Sequence, residues 1–194
     1  PEDRNIGFMF QDYALFPHLN VTENILFGLM RLERRAARRR CAELVERLGL
    51  QHLALRFPHM LSGGEQQRVA LARALAPQPK IMLMDEPFSN LDRELRAEIS
   101  AETIALLREV GTTIIMVTHD PEEALSAGDV VALMRAGKIV QVGTGDELYE
   151  QPSSSYAAEF FCTFNKIRGA CKGGFADTPL GRFAAPNFAD GEEA

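Results

Sequence analysis

The chain has 194 residues, of which 46% are hydrophobic and 25% are charged, a composition typical of a folded globular protein. Its formal net charge of −6 argues against a protein that binds nucleic acid through a broad basic surface. No run approaches the length of about 18 consecutive apolar residues that predicts a membrane-spanning helix. The three cysteines form no CxxC pair, and reduced thiols in a cytosolic setting are the simplest interpretation.

The first predicted element is a buried strand over residues 5–11, an apolar run that ends on the polar Gln11. A helical region follows this strand. Its helices are predicted over residues 23–30, 34–48 and 63–76. Thr22 is expected to cap the first of these helices, and Ser62 with Glu65 has the spacing of a capping box at the start of the third.

Strands and helices alternate in the part of the chain that follows. The predicted elements there are a strand over 81–84, a helix over 92–110, a strand over 113–118, a short helix from 121 and a hairpin over 129–142. Apolar strands that alternate with helices indicate a parallel sheet covered on both faces, so the predicted fold class is α/β. The helical region between the first two strands is interpreted as a subdomain inserted into that sheet. From about residue 164 the periodicity is lost, which is typical of a frayed tail or of the start of a β-rich domain.

Two carboxylates, Asp85 and Glu86, follow the strand over residues 81–84. In open α/β sheets, ligands collect beyond the carboxyl ends of the strands. Asp85 could hold a magnesium ion through water, and Glu86 could polarise a nucleophilic water. The alternative is that these residues only end a strand and begin a turn, and the pair alone does not decide between the two interpretations.

Other polar groups have similarly open interpretations. Ser62, Gly63 and Gly64 could present backbone N–H groups to an anion at the start of a helix, or could form an ordinary capping box. His119 and Gln11 both stand at the ends of strands. There they could contact a phosphate or a metal-bound water, or they could be structural and surface residues.

The order of these motifs resembles the ATP-binding cassette (ABC) family. The matching stretches are LSGGEQQR (61–68) for the family signature, IMLMDEP (81–87) for the Walker B strand with its catalytic Glu, VTHD (117–120) for the switch histidine, Gln11 for the Q-loop and SNLD (89–92) for the D-loop. Asn90 stands where alanine is commoner in the family. The resemblance covers about residues 4–160 and implies a P-loop NTPase-like parallel sheet core with an inserted α-helical subdomain.

The resemblance also implies a role for each matched residue, with ATP and Mg²⁺ as cofactors. Asp85 would hold Mg²⁺ through water, and Glu86 would be the general base. Gln11 would sense the magnesium ion and the attacking water, and His119 would contact the γ-phosphate. The residues implied to meet the ATP of a second ATPase subunit across a dimer interface are Ser62, Gly63, Gly64 and Asp92.

Within the family, residues 11–25, 87–89 and 120–124 resemble importer subunits for ferric iron, polyamines, sulfate and sugars. The stretches RFPH (56–59) and Ala76-Pro77 favour ferric iron. This resemblance implies an ATPase that couples hydrolysis to solute uptake from the cytoplasmic face of the membrane. Its implied partners are a second copy of the ATPase subunit, transmembrane permease subunits that dock on residues 11–60 and, indirectly, a solute-binding protein, with no nucleic acid.

One expected motif does not occur in the sequence. The phosphate-binding pattern G-x-x-x-x-G-K-[ST] is found nowhere in the 194 residues. The expectation is therefore an N-terminally truncated ABC ATPase, inactive as a fragment. Its expected parts are a partial ATPase domain over 1–162, a helical signature subdomain over 12–76 within it, and a tail or the start of a C-terminal β-rich regulatory domain over 163–194.

Two other hypotheses explain the same motifs. The chain could be a non-hydrolysing module that contributes only its signature and docking surfaces. It could also be a non-transport ABC ATPase of DNA repair or translation. The short spacing between Gln11 and Ser62 leaves no room for the long coiled coil of repair proteins, which disfavours that branch.

Overall fold

The computed structural model describes residues 5–163 and 167–185, without the side chains of 93–95. The helices and strands are β1 (Ile6–Met9), α1 (Val21–Phe27), α2 (Arg34–Arg47), α3 (Gly63–Leu75), β2 (Ile81–Asp85), α4 (Arg93–Val110), β3 (Thr113–Val117), α5 (Pro121–Ala127), β4 (Val131–Arg135), β5 (Lys138–Gly143), α6 (Gly145–Glu150), α7 (Ser155–Phe161), β6 (Ala170–Lys172), β7 (Phe175–Thr178) and β8 (Gly181–Ala184). The chain divides into two compact units, Pro1–Val131 and Ala132–Ala194. Among the described helices, none is long and apolar enough to cross a membrane.

The first unit is built on a parallel sheet in the order β1-β2-β3. Met9 pairs with Met84 and Met84 with Met116, so the three strands end at the same edge of the sheet. The chain between β1 and β2 is helical and contains α1, α2 and α3. These observations confirm the α/β class and the inserted helical subdomain.

The two faces of this sheet differ in their burial. One face packs into the main hydrophobic core, where Met82 and Met84 are 0% and 2% exposed. Residues of α3 and α4 belong to the same core. On the opposite face, Phe8, Ile115 and Val117 are 42%, 55% and 58% exposed. The sequence predicts a sheet covered on both faces, but the described residues cover one.

The start of α1 differs from the prediction. Its N-cap is Asn20, which forms a capping box with Glu23: the Glu23 N–H donates to Asn20 Oδ1, and the Asn20 N–H donates to Glu23 Oε2, both at 2.9 Å. The Thr22 hydroxyl, predicted as the cap, donates instead to the Ala54 carbonyl at 3.0 Å. Asn20 and Thr22 are both good capping residues, and the distant Ala54 carbonyl engages Thr22.

The second unit begins within β4 and contains the predicted hairpin. The turn between β4 and β5 is formed by Ala136 and Gly137, whose φ angles of 48° and 75° match a two-residue hairpin turn. Helices α6 and α7 follow, and then an antiparallel sheet in the order β6-β7-β8. The sheet lies in the segment interpreted above as a tail or the start of a β-rich domain. Residues 164–166 and 186–194 of that segment are outside the described residues.

Candidate functional site

Three polar residues meet where the parallel strands end. Gln11 follows β1, Glu86 follows β2 and His119 follows β3. Gln11 Nε2 donates to Glu86 Oε2 at 3.2 Å, and His119 Nδ1 lies 3.1 Å from Glu86 Oε1. The two oxygens of one carboxylate are therefore each held by a side chain from a different strand end. This juxtaposition follows from the topology, because parallel strands bring their carboxyl ends to one edge.

The backbone holds Glu86 in an unusual conformation. Its φ angle is 43°, in the left-handed region that non-glycine residues adopt at a cost. The Glu86 N–H donates to the Val117 carbonyl at 2.9 Å, and its own carbonyl accepts from the Ser89 hydroxyl at 2.9 Å. Phe88, two residues on, is fully buried and anchors the turn in the core. The end of β2, the turn that follows it and the buried Phe88 together fix the direction of the Glu86 carboxylate.

Asp85 is the last residue of β2 and is exposed. Within the described part of the chain, no side chain forms a hydrogen bond or ion pair with its carboxylate. Gln11 donates to Glu86 through its amide nitrogen. Its amide oxygen is a second hard ligand, beside the Asp85 carboxylate, near the same strand ends. Carboxylate and amide oxygens are the ligand type that Mg²⁺ takes, with water and phosphate completing its shell. Asp85 and Gln11 therefore have the ligand chemistry that suits Mg²⁺, although the described residues contain no group of three His, Cys, Asp or Glu side chains that could hold a metal ion by themselves.

The helix start at Ser62 is a reciprocal capping box, as predicted. The Ser62 N–H donates to Glu65 Oε2 at 2.7 Å, and the Glu65 N–H donates to Ser62 Oγ at 3.3 Å. The hydrogen bond from the Ser62 backbone is the main cause that lowers the pKa of the Glu65 carboxyl. A Cβ at Gly63 would meet only the Asn90 carbonyl and Leu91, at 3.6 Å. Packing within the chain therefore does not require glycine there, because 3.6 Å is an ordinary van der Waals distance.

The signature residues and Asp92 are not hydrogen-bonded to this cluster among the described contacts. Among the described contacts, no hydrogen bond joins Ser62 to Gln11, Glu86 or His119. Asp92 is exposed and occupies the N-cap position of α4, where its side chain makes no cap hydrogen bond. The structure thus brings three of the predicted residues into contact, and it places Gly63 beside Asn90 and Leu91, the two residues before Asp92.

Sequence reasoning missed three polar residues that hold the segments around the site. They are Asn24, Arg73 and Asn90. Asn90 Nδ2 donates to the Gln11 carbonyl at 2.8 Å and so connects the turn after β2 to the turn after β1. The sequence contained one signal of this contact, since Asn90 is where the motif departs from the family pattern.

Comparison with known proteins adds independent findings. Residues 1–89 match the family model described as ABC transporter. The chain is 48% identical over 176 residues to the spermidine/putrescine import ATP-binding protein PotA of Pseudomonas fluorescens, covering 90% of this chain and 49% of that protein. It is 50% identical over 182 residues to the Fe(3+) ions import ATP-binding protein FbpC of Mesorhizobium japonicum, covering 93% of this chain and 50% of that protein.

A sulfate/thiosulfate import ATP-binding protein, CysA of Photorhabdus laumondii, is 47% identical over 178 residues, which cover 89% of this chain and 49% of that protein. Among solved structures, cbiO1 from Clostridium perfringens, part of the ABC transporter complex cbiONQ, superposes with a TM-score of 0.70 at 33% identity. That match covers 76% of this chain and 60% of the other. The chain spans about half the length of the curated relatives that it matches. Sequence, fold and motif order agree, and the chain is similar to the ATP-binding proteins of ABC transporters.

Proposed function

We propose that this chain is part of the ATP-binding and ATP-hydrolysing subunit of an ABC importer, which couples hydrolysis to solute uptake. The observation that carries the proposal is the contact of Gln11 and His119 with the two oxygens of Glu86, at 3.2 and 3.1 Å. The relatives described above are named as import ATP-binding proteins, which supports a transport role over a non-transport one.

Glu86 is the proposed general base. Its carboxylate is held at both oxygens, so its orientation toward a water is set before a substrate arrives. His119 faces Glu86 through Nδ1; as the imidazolium, in which both ring nitrogens donate, it would hold Glu86 through Nδ1 and donate to a phosphate oxygen through Nε2. Asp85 and the Gln11 amide oxygen would hold Mg²⁺ together with water. When bound, the ion would neutralise the charge that develops on the phosphate oxygens.

The signature residues are proposed to act between subunits. Ser62, Gly63 and Gly64 open a helix of 13 residues, whose first N–H groups and dipole favour an anion. We place the phosphate of ATP held by a second copy of the subunit there, with Asp92 in the same dimer interface. The exposure of Ser62 and Gly63 at the start of the helix supports this placement.

The same proposal includes the permease subunits, a solute-binding protein and the limits of the domains. Permease subunits are proposed to dock on residues 11–60, where exposed apolar side chains include Phe27, Met30 and Leu55, at 42%, 70% and 81% exposure. A solute-binding protein would act through those permeases, and the subunit would work at the cytoplasmic face of the membrane.

The proposed domain limits remain 1–162 for the partial ATPase domain, with the signature subdomain over 12–76, and 163–194 for the C-terminal part.

The test of hydrolysis is the substitution Glu86→Gln in the complete subunit that contains this chain, assembled with its permease. We expect ATP binding to persist with Mg²⁺ present, and turnover to fall by about 10²–10⁴-fold because the base is lost. The matched control is Glu109→Gln, which removes an exposed carboxylate that pairs with Arg47 on the surface. Wild-type turnover in the Glu86 variant would contradict the proposed role of the base.

Ferric iron is the solute that we propose first, on the stretches RFPH (56–59) and Ala76-Pro77. The relatives named for iron, polyamines and sulfate are similarly identical to the chain, at 50%, 48% and 47%. The assay therefore compares ferric iron, spermidine, sulfate and a maltodextrin in vesicles that contain the assembled transporter. We expect ATP-dependent uptake of iron alone, and uptake of another solute in its place would overturn the assignment.

A further inference from the structure

Arg73, in the last turn of α3, binds the loop that carries Gln11. Arg73 Nη1 donates to the Ala14 carbonyl at 2.7 Å, and Nη2 donates to the Tyr13 carbonyl at 2.9 Å. The guanidinium carbon also lies 5.3 Å from the centre of the Phe16 ring. Two short charge-assisted bonds and a cation–π contact fix the guanidinium in one orientation.

The backbone that Arg73 holds is strained. Tyr13 and Ala14 have φ angles of 61° and 43°, in the left-handed region that costs a non-glycine residue energy. Their consecutive carbonyls converge on the same guanidinium, whose planar pair of donors suits two acceptors at once. The two bonds therefore offset the cost of this conformation.

The charge of Arg73 is otherwise unmatched. Among the described residues, no carboxylate forms an ion pair with it, and desolvation lowers the pKa of its guanidinium, which nonetheless stays charged. A partly buried cation without a carboxylate depends on the carbonyls and the ring that it contacts. The loop thus depends on Arg73 for its conformation, and the buried charge of Arg73 depends on the loop for its hydrogen bonds.

The held residues are continuous with the hydrolytic cluster. The Tyr13 N–H donates to the Phe10 carbonyl at 3.0 Å and closes a turn whose second residue is Gln11. Gln11 Nε2 in turn donates to Glu86. Displacing Tyr13 would therefore displace the turn and the amide that contacts the carboxylate.

We propose that Arg73 is a positioning residue for Gln11. By holding the carbonyls of Tyr13 and Ala14, it fixes the turn that places Gln11 against Glu86, and it joins that turn to the helix that begins after Ser62. The inference rests on the proposed function, in which Gln11 acts at the site of hydrolysis.

The first test measures the loop directly and does not depend on ATP. Amide hydrogen exchange is compared in the complete subunit and its variants Arg73→Met, which keeps the length and removes the donors, and Arg73→Lys, which keeps the charge but cannot bind both carbonyls in the same geometry. We expect exchange over residues 10–16 to rise about tenfold in the Met variant and less in the Lys variant. The control Arg47→Met removes an arginine that pairs with Glu109 on the surface and is expected to leave that loop unchanged.

Exchange in the buried turns of α3 reports whether each variant is folded, and the Lys variant keeps the test informative if the Met variant does not fold. Unchanged exchange over residues 10–16 in both Arg73 variants would overturn the proposal.

The second test is kinetic and asks whether Arg73 acts through Gln11. In the assembled transporter, we expect Arg73→Met to lower kcat about tenfold with KM for ATP within about twofold of wild type. In a Gln11→Ala background, the same change should have little further effect, because the group that it positions is already gone. Losses that multiply would show a general structural role and overturn the proposal. If the wild-type transporter does not hydrolyse ATP, the proposed function fails, while the exchange experiment still decides whether Arg73 holds the loop.

Discussion

Asn24 is a polar side chain with 0% exposure, and it holds the segment between the Gln11 turn and α1. Its Oδ1 accepts from the Phe16 N–H at 2.9 Å. Its Nδ2 donates to the carbonyls of Phe16, Leu19 and Asn20 at 2.9–3.1 Å. Among the described contacts, Asn24 is the one partner of the Phe16 N–H and of the Leu19 carbonyl, whereas the Phe16 and Asn20 carbonyls also accept from the backbone N–H groups of Leu19 and Asn24.

Replacing Asn24 with Leu would remove the side-chain bonds to all four backbone groups and leave the Phe16 N–H and the Leu19 carbonyl without their partner. We expect the free energy of unfolding to fall by about 2–4 kcal/mol, because several part-buried groups lose a hydrogen bond at once. The matched control is Thr22→Val on the same helix, which removes a single bond to the Ala54 carbonyl and should cost about 1 kcal/mol. Denaturant titration measures both, and equal losses would show that the Asn24 network adds nothing beyond one ordinary bond.

Helices and strands were predictable wherever their signals are local. The third and fourth helices begin and end close to the predicted residues, because the Ser62–Glu65 box and the left-handed Gly111, with φ of 72°, act within one turn. The convergence of Gln11, Glu86 and His119 was predictable as well, since each follows a parallel strand.

Contacts between elements were not predictable from the sequence. The Arg73 and Asn90 bonds join residues 60 and 79 positions apart, and no periodicity marks either partner. The same holds for Arg96 of α4, which donates to the Leu91 carbonyl and to Asp120, each at 3.0 Å. It thereby connects the segment before α4 to the residue after His119. Such bonds depend on where helices pack, which a single sequence does not encode in any local pattern.

At the scale of the whole molecule, the face of the parallel sheet that the described residues leave uncovered dominates the expected solution behaviour. Phe8 pairs with Leu83 and Leu83 with Ile115, so their side chains form one apolar surface. Parallel sheets are normally covered on both faces, and contiguous apolar surface promotes association. We expect the 194-residue chain, prepared alone, to self-associate as its concentration rises.

Sedimentation velocity across a concentration series checks this expectation. Ile115→Lys should shift the chain toward monomer, because it places a charge on the apolar surface. Leu180→Lys is the control, since Leu180 is 70% exposed on the loop between β7 and β8. A wild-type chain that is monomeric throughout, or an equal effect of the two lysines, would refute the role of the sheet face.

Helix α3 joins two of the features described above in one rigid element. With 13 residues, it is about 20 Å long, with Ser62 capping one end and Arg73 in the last turn of the other. Tilting a rod of that length by about 10° about one end moves the other end by about 3.5 Å, which exceeds the length of the two hydrogen bonds that Arg73 makes. A change in the angle of α3 would therefore move both of its ends. A group that pulled Ser62 toward itself would displace Tyr13 and Ala14 without unwinding the helix.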